Sequence, residues 1–209
     1  PDGEGFLYPS ITDESKCINC HKCENVCPIK HIAVGENFQE KAFAGYADTD
    51  DEIKTCASGG LATAISRSFI KNGGVVYGVQ YGVGCEEVYF SRATSEDELE
   101  RFKTSKYVQA HKYNVYGNVL KDLKSMRRVL FIGLPCECYA LQLFLGKSYE
   151  NLYVCSLICH GPTSQAVHVQ YCKKIKSEYP GEIAEFSVRY KKDGWKPYYI
   201  RAKFKEGYE

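Results

Sequence analysis

The spacing of apolar residues in the first half of the chain predicts a helix followed by two buried strands. Apolar side chains recur at intervals of three and four after Ser58-Gly59-Gly60, at Leu61, Ala64, Ile65 and Phe69. This spacing is typical of an amphipathic helix, and Gly73-Gly74 is expected to end it. Apolar runs at residues 75–83 and 88–93 then predict strands, and the Ser95-x-x-Glu98 pattern predicts a capped short helix.

The second half of the chain alternates strands and helices. Residues 128–132 predict a strand, residues 135–145 a helix and residues 151–158 another strand, an order typical of parallel strands joined by a crossover helix. A helix at about 164–179 and a β-hairpin around Asp193-Gly194 follow. The predicted fold class is α/β, or α+β overall, with a mixed and largely parallel sheet.

A run of four cysteines precedes these elements. It consists of Cys17, Cys20, Cys23 and Cys27, and Pro28 follows it directly. Offsets of three, three and four residues ending in Cys-Pro are typical of the bacterial ferredoxin sequence that holds a cubane iron–sulfur cluster. Such a cluster needs thiolates that converge on a small volume, and two-residue spacers in a looped backbone allow this. The four cysteines are therefore the predicted ligands of a 4Fe-4S cluster.

Zinc is the alternative occupant of this run, because Cys-x-x-Cys pairs also hold zinc in ribbons and fingers. Zinc ribbons bring two cysteine pairs from separate hairpins, whereas this run places all four thiols in one short loop. Disulfides are disfavoured, since the chain has 11 cysteines, an odd number. The sequence therefore favours the iron–sulfur cluster.

The number of clusters stays open. In two-cluster ferredoxins the fourth cysteine of each run ligates the other cluster, so Cys27 would reach toward a cluster whose own cysteines lie upstream of Pro1. We then expect a ferredoxin module that is cut at its N-terminus. In the alternative, Cys27 closes the same cubane as the other three thiols.

The chain is long enough for one domain or two. We predict the ferredoxin-type module at residues 1–34, a polar and acidic linker at 35–54 and an α/β domain at 55–209. A hairpin alone is only marginally stable, so we expect more chain to follow the last one.

Charge and composition argue against nucleic-acid and membrane partners and favour one cellular location. The chain has 27 Lys and Arg against 26 Asp and Glu, so a net charge of +1 gives no field that would attract nucleic acid or an anionic membrane. No apolar run approaches the ~18 residues that would span a bilayer. Many cysteines in metal-ligand spacing favour a reducing, cytoplasmic location.

Two further cysteines each follow a predicted strand of the parallel sheet. Cys136 comes after the strand at 128–132, and Cys159 follows the strand at 151–158. The carboxyl ends of such strands form the edge where open α/β sheets bind ligands. Cys136 also lies at a helix start, which favours the thiolate. We predict that the two thiols face each other and serve a second redox site; buried inert cysteines are the alternative.

Ser58-Gly59-Gly60 is a candidate phosphate cradle, because small residues at a helix start let backbone N–H groups approach an anion. Glycine pairs also precede helices in plain turns, so the motif alone is not specific.

Six stretches of the sequence form a wider combination. They are Gly3-x-Gly5-Phe6-x-x-Pro9, Ser58-Gly59-Gly60, Gly73-Gly74-Val75-Val76-Tyr77-Gly78, Ser105-Lys106-Tyr107, Gly133-Leu134-Pro135-Cys136 and Leu157-Ile158-Cys159-His160-Gly161. This combination resembles the coenzyme F420 hydrogenase/dehydrogenase beta-subunit family over nearly the whole chain. At three positions, Thr104, Glu137 and Ser156, the chain departs from the family's glycine, glutamine and aspartate.

The resemblance implies a ferredoxin-type module followed by a flavin-binding domain, with FAD as the flavin. It assigns the flavin contacts to Ser58, Gly59, Gly60, Ser105, Lys106 and Tyr107, and it makes Cys136 and Cys159 the family's two loop cysteines, here predicted as metal ligands. Lys106 is expected to face a flavin phosphate or the reduced ring.

The function predicted from these features is that of an iron–sulfur flavoprotein oxidoreductase subunit. One or two 4Fe-4S clusters would relay single electrons, and the flavin would convert them into two-electron chemistry. The expected partners are an electron-transfer protein or subunit and a small redox coenzyme, deazaflavin-like or another two-electron carrier. The alternative is a non-catalytic electron-transfer or scaffold subunit of a larger redox complex.

Overall fold

The computed structural model describes residues 1–31 and 41–209. The predicted module boundary at residue 34 and residues 35–40 of the predicted linker lie outside the described residues. The described α-helices are α1 Lys22–Asn25, α2 Asp50–Thr55, α3 Leu61–Lys71, α4 Glu96–Leu99, α5 Val115–Lys124, α6 Pro135–Leu145 and α7 Gln165–Glu178. Short 3-10 turns lie at Glu14–Lys16, Val83–Cys85 and Glu100–Phe102.

Two sheets contain the described strands. The strands are β1 Val75–Tyr81, β2 Val88–Ala93, β3 Val129–Gly133, β4 Leu152–Ser156, β5 Ile183–Tyr190 and β6 Tyr199–Phe204. The larger sheet has the order β2-β1-β3-β4; β2 is antiparallel to β1, and β1, β3 and β4 are parallel. Strands β5 and β6 form an antiparallel pair. The prediction of a mixed, largely parallel α/β sheet is confirmed.

The central strands β1 and β3 are apolar on both faces because helices cover both faces. On one face, Tyr77 and Phe131 pack with α5 and α6, whose buried residues include Leu123 and Leu141. On the other face, Val76 and Leu130 pack with Leu99 of α4 and with α3. The sheet is therefore the middle of three layers. Helices cover its two faces, so ligands can approach it only beyond the ends of its strands.

Among the described residues, three helices lie where no helix was predicted: the short α1 within the cysteine run, α2 and α5. Helix α5 has buried residues at the helical spacing Val115, Val119 and Leu123, a pattern that the sequence carries. Helix α2 lies at the end of the predicted linker. Its acidic residues 50–52 fill the first turn, where the helix dipole favours negative charge, and the Thr49 hydroxyl accepts a hydrogen bond from the Glu52 N–H.

None of the helices in the described ranges is both long enough and apolar enough to cross a bilayer.

Candidate functional site

The four cysteines of the ferredoxin-type run lie on the surface. All four thiols are free; Cys17, Cys20 and Cys23 are exposed, and Cys27 is half-buried. Asn19 and His21 both have φ of 55°, in the left-handed region. These two turns loop the backbone between the first three cysteines before α1 begins. The chain therefore presents the run as an open loop.

A small charge network borders two of these thiols. The Glu24 carboxylate lies 2.8 Å from the Lys30 ammonium and 3.1 Å from Nδ1 of His21. The hydrogen bond to Glu24 raises the pKa of Lys30, and the thiols of Cys27 and Cys23 add to this rise. A cation beside the ligands of a cluster offsets the negative charge of that cluster.

The donor set of the loop fits an iron–sulfur cluster. Four thiols at this spacing are the soft ligands that such a cluster takes. The backbone N–H groups of residues 18–21 donate to no acceptor in the described part of the chain, so they are available to sulfide. Within residues 1–31 and 41–209, no three or more His, Cys, Asp or Glu side chains gather around one metal position. Ligation by these four cysteines stays a prediction.

Both ends of the chain segment that carries the cysteine run are held on the sheet domain. Before the run, the Leu7 N–H donates to Oε1 of Gln109 at 2.6 Å, and Nε2 of Gln109 donates to the Leu7 carbonyl at 2.9 Å. After it, the buried Ala47 donates its N–H to the Gly59 carbonyl at 2.7 Å. Gly59 belongs to one of the two stretches that the resemblance assigns to a flavin, and Gln109 lies two residues after the other, which ends at Tyr107.

A close packing contact supports the first of these anchors. Gly5 has φ of +81°, and a Cβ on it would lie 2.2 Å from the Cβ of Ala166 in the first turn of α7. Only glycine allows both the left-handed backbone and this approach. The N-terminal segment is thus fitted against α7 as well as tied to Gln109.

Cys136 and Cys159 lie at the carboxyl edge of the parallel sheet. Gly133 and Ser156, the last residues of β3 and β4, are register partners, and each cysteine follows its strand end by three residues. Both side chains are exposed. The Cys159 thiol contributes to the raised pKa of Cys136, so the two thiols lie within electrostatic reach of each other. A shared redox role for them stays a prediction.

The Cys136 thiol is not activated in the way that its helix position suggests. Desolvation raises the pKa of Cys136, the neighbouring Glu137 carboxylate raises it further, and Lys112 offsets only part of this rise. Glu137 is buried because it caps α6: its Oε2 accepts the Leu134 N–H at 2.9 Å, and its Oε1 pairs with Lys112 at 3.0 Å. The surroundings of Cys136 therefore disfavour the expected thiolate.

Lys106 is held by its own loop, and its expected place beside Ser58-Gly59-Gly60 stays a prediction. Its ammonium donates to the backbone carbonyls of Arg101, Lys103 and Thr104 and lies 5.8 Å from the centre of the Tyr81 ring. Burial lowers the pKa of Lys106 to about 7. The side chain is thus enclosed by its own loop, and no described contact supports the expectation that it faces a flavin phosphate.

The enclosed ammonium predicts a pH dependence of stability. Between about pH 7 and the ordinary lysine value of 10.5, the unfolded chain binds a proton at Lys106 that the folded chain has lost. The free energy of unfolding should therefore rise with pH in this window, by up to about 1.4 kcal/mol per pH unit. Urea unfolding at about pH 7 and pH 8.5 should show this rise in the wild type but not in Lys106→Met. Lys124→Met, at an exposed position on α5, should keep it; an equal rise in all three proteins would contradict the prediction.

Strand β5 brings the two expected flavin stretches into one neighbourhood. Nη1 of Arg189 donates to the Tyr107 hydroxyl at 3.2 Å, and the Lys191 ammonium donates to the carbonyls of Ser58 and Ile53. Arg189 lies in β5, and Lys191 follows the last residue of that strand. The cations next to Ser58 and Tyr107 are therefore these two, which the sequence analysis missed. Two surface clefts, one beside Asp122 and one beside Arg67, contain none of the predicted site residues.

Comparison with known proteins bears on the cysteine run. A family model described as a 4Fe-4S binding domain matches residues 11–30, which include all four cysteines of the run and Pro28. The prediction of an iron–sulfur module is confirmed, and electron transfer is the class of function that it indicates. No curated protein matches the chain. The likeness to the F420 beta-subunit family stays a hypothesis.

Proposed function

We propose that this chain is the iron–sulfur flavoprotein subunit of an oxidoreductase. The cysteine run holds a 4Fe-4S cluster, and a flavin, FAD, lies against Ser58-Gly59-Gly60 and the Ser105-Lys106-Tyr107 stretch. Electrons pass between the two groups and then to a two-electron partner, a deazaflavin-like coenzyme or another hydride carrier. A bound flavin supplies the exchange between one-electron and two-electron transfer.

The anchoring of the cysteine-bearing segment is the observation that carries this proposal. Gln109, which holds Leu7, lies two residues after Tyr107, and Gly59, which holds Ala47, is itself one of the expected flavin contacts. A pure iron–sulfur relay has no need for such anchors at these two stretches. A cluster that delivers electrons to a group bound there does need them, because transfer requires a fixed and short separation.

The carboxyl edge of the sheet is proposed as a second redox site, served by Cys136 and Cys159. Thr163 links this edge to the expected flavin stretch, since its N–H and hydroxyl both donate to the Tyr107 carbonyl. A bound metal would lower the raised pKa of Cys136, because a metal deprotonates the thiol that ligates it.

Anaerobic purification with joint measurement of iron, sulfide and flavin tests the proposal. We expect about four iron and four sulfide per cluster, and one flavin per chain, with iron beyond one cluster lost in the double variant Cys136→Ser, Cys159→Ser. If the purified chain contains iron and sulfide but no flavin, the result would favour a non-catalytic relay subunit over a flavoprotein. Zinc in place of iron would contradict the proposal as a whole.

A further inference from the structure

We infer that the β5–β6 hairpin completes the flavin site: Arg189 binds a phosphate group of the flavin nucleotide, and the Trp195 ring stacks on its planar ring system. This inference rests on the proposed function and adds to it residues that lie outside every motif of the family resemblance.

Arg189 is a half-buried guanidinium that has no carboxylate partner in the described part of the chain. It donates to the Tyr107 hydroxyl at 3.2 Å, and its carbon Cζ lies 4.3 Å from the centre of the Tyr198 ring. A guanidinium has five N–H donors in a planar fork that fits phosphate oxygens. A partly desolvated arginine that lies over a ring and has no counter-ion among the described residues is therefore arranged to take an anionic ligand.

Another arginine on the same hairpin shows what a purely structural residue looks like. Arg201 also lies over a ring, 4.2 Å from the centre of Tyr190, but it pairs with Glu185 at 3.0 Å and with Glu209 at 3.7 Å. Its charge is balanced within the hairpin, whereas that of Arg189 is not. The contrast assigns the phosphate contact to Arg189.

Trp195 supplies a ring that is held in place and has one open face. The Lys191 ammonium lies 4.5 Å from the ring centre and also donates to the Ser58 carbonyl, which ties the ring to the Ser58-Gly59-Gly60 turn. The residue is 49% exposed, as expected for a ring with one covered face. Flat aromatic side chains of this kind stack on the rings of nucleotides.

The two cation–ring pairs are neighbours in the chain. Arg189 lies in β5, and Lys191 follows that strand directly. Both pairs border the residues that the proposed function gives to the flavin, Ser58 and Tyr107.

Calorimetric titration of FMN and FAD into the iron-loaded full chain, freed of flavin under anaerobic conditions, tests the inference. Arg189→Met and Trp195→Ala should each weaken binding about tenfold or more. Arg189→Lys and Trp195→Tyr should recover part of the loss, and the matched control Arg201→Met should bind like the wild type. Circular dichroism checks that each variant is folded.

The outcomes separate the inference from the proposed function. If Arg189→Met and Trp195→Ala bind flavin as tightly as the wild type, the inference is overturned and the flavoprotein proposal stays intact. Equal losses in Arg189→Met and Arg201→Met would also overturn it, because the effect would then come from the hairpin fold. A wild type that binds neither flavin would contradict both proposals.

Discussion

Replacing Cys20 with serine is expected to lower the iron content of the anaerobically purified chain by about half or more. Cys20 lies in the middle of the run that matches the 4Fe-4S binding domain. A serine hydroxyl is a hard ligand with a far higher pKa than a thiol, so the iron atom at that corner loses its thiolate. Iron and sulfide analysis, together with the visible absorption of the cluster, gives the measurement.

Cys172→Ala is the matched control for this change. Cys172 is fully buried against Phe186 and Phe204 beneath the β5–β6 hairpin, away from the ferredoxin-type run. Its removal should leave the iron content unchanged. An unchanged iron content in Cys20→Ser would contradict the assignment of Cys20 as a cluster ligand.

Replacing Asp122 with alanine is expected to destabilise the fold by about 2–4 kcal/mol. The Asp122 carboxylate on α5 accepts hydrogen bonds from Arg92 on β2 at 2.6 and 3.1 Å and from the Tyr77 hydroxyl on β1 at 2.6 Å. Tyr77 is 1% exposed, so its hydroxyl loses its acceptor at a largely buried position. Urea unfolding followed by circular dichroism measures the effect.

Asp97→Ala, at an exposed position in α4, should change the stability by no more than about 0.5 kcal/mol. The pH dependence gives a second check. Burial alone would raise the pKa of Asp122, but hydrogen bonds from Arg92 and Tyr77 hold it below its ordinary value of 3.8. The carboxylate therefore stabilises the fold above that value, and this contribution disappears as the pH falls through the lower folded pKa. An Asp122→Ala protein that loses stability in acid as steeply as the wild type would contradict this account.

Local patterns predicted most of the fold, because the elements that they predicted are marked at both ends by the chain itself. Helix α6 begins at Pro135, whose missing N–H costs nothing there, and ends at Gly146, which takes the left-handed cap with φ of 65°. Strands β1 and β3 are apolar on both faces, a pattern that fits only a covered parallel strand. Helix α2 was predicted as linker, because acidic residues occur both in solvated turns and in the capped first turn of a helix.

The candidate site was harder to predict, because side-chain direction depends on contacts far away in the sequence. Ser105-Lys106-Tyr107 is a recognisable stretch, yet Thr104 takes φ of 66° and folds the preceding loop so that its carbonyls surround the Lys106 ammonium. No local pattern states this. That Arg189 and Lys191 reach Tyr107 and Ser58 is likewise a result of tertiary packing.

The two anchors at Leu7 and Ala47 also change how the cluster-binding loop can be assembled. Four thiols on a free tail would each have to find the metal against the conformational entropy of an open chain. Here the folded sheet domain has already joined the ends of that segment, and closing a loop within a shorter, tethered segment costs less entropy. The anchored segment would then stay attached to the sheet domain whether or not the cysteine run holds a metal. Repair of an oxidised cluster would thus be a local event, with no unfolding of the domain that carries it.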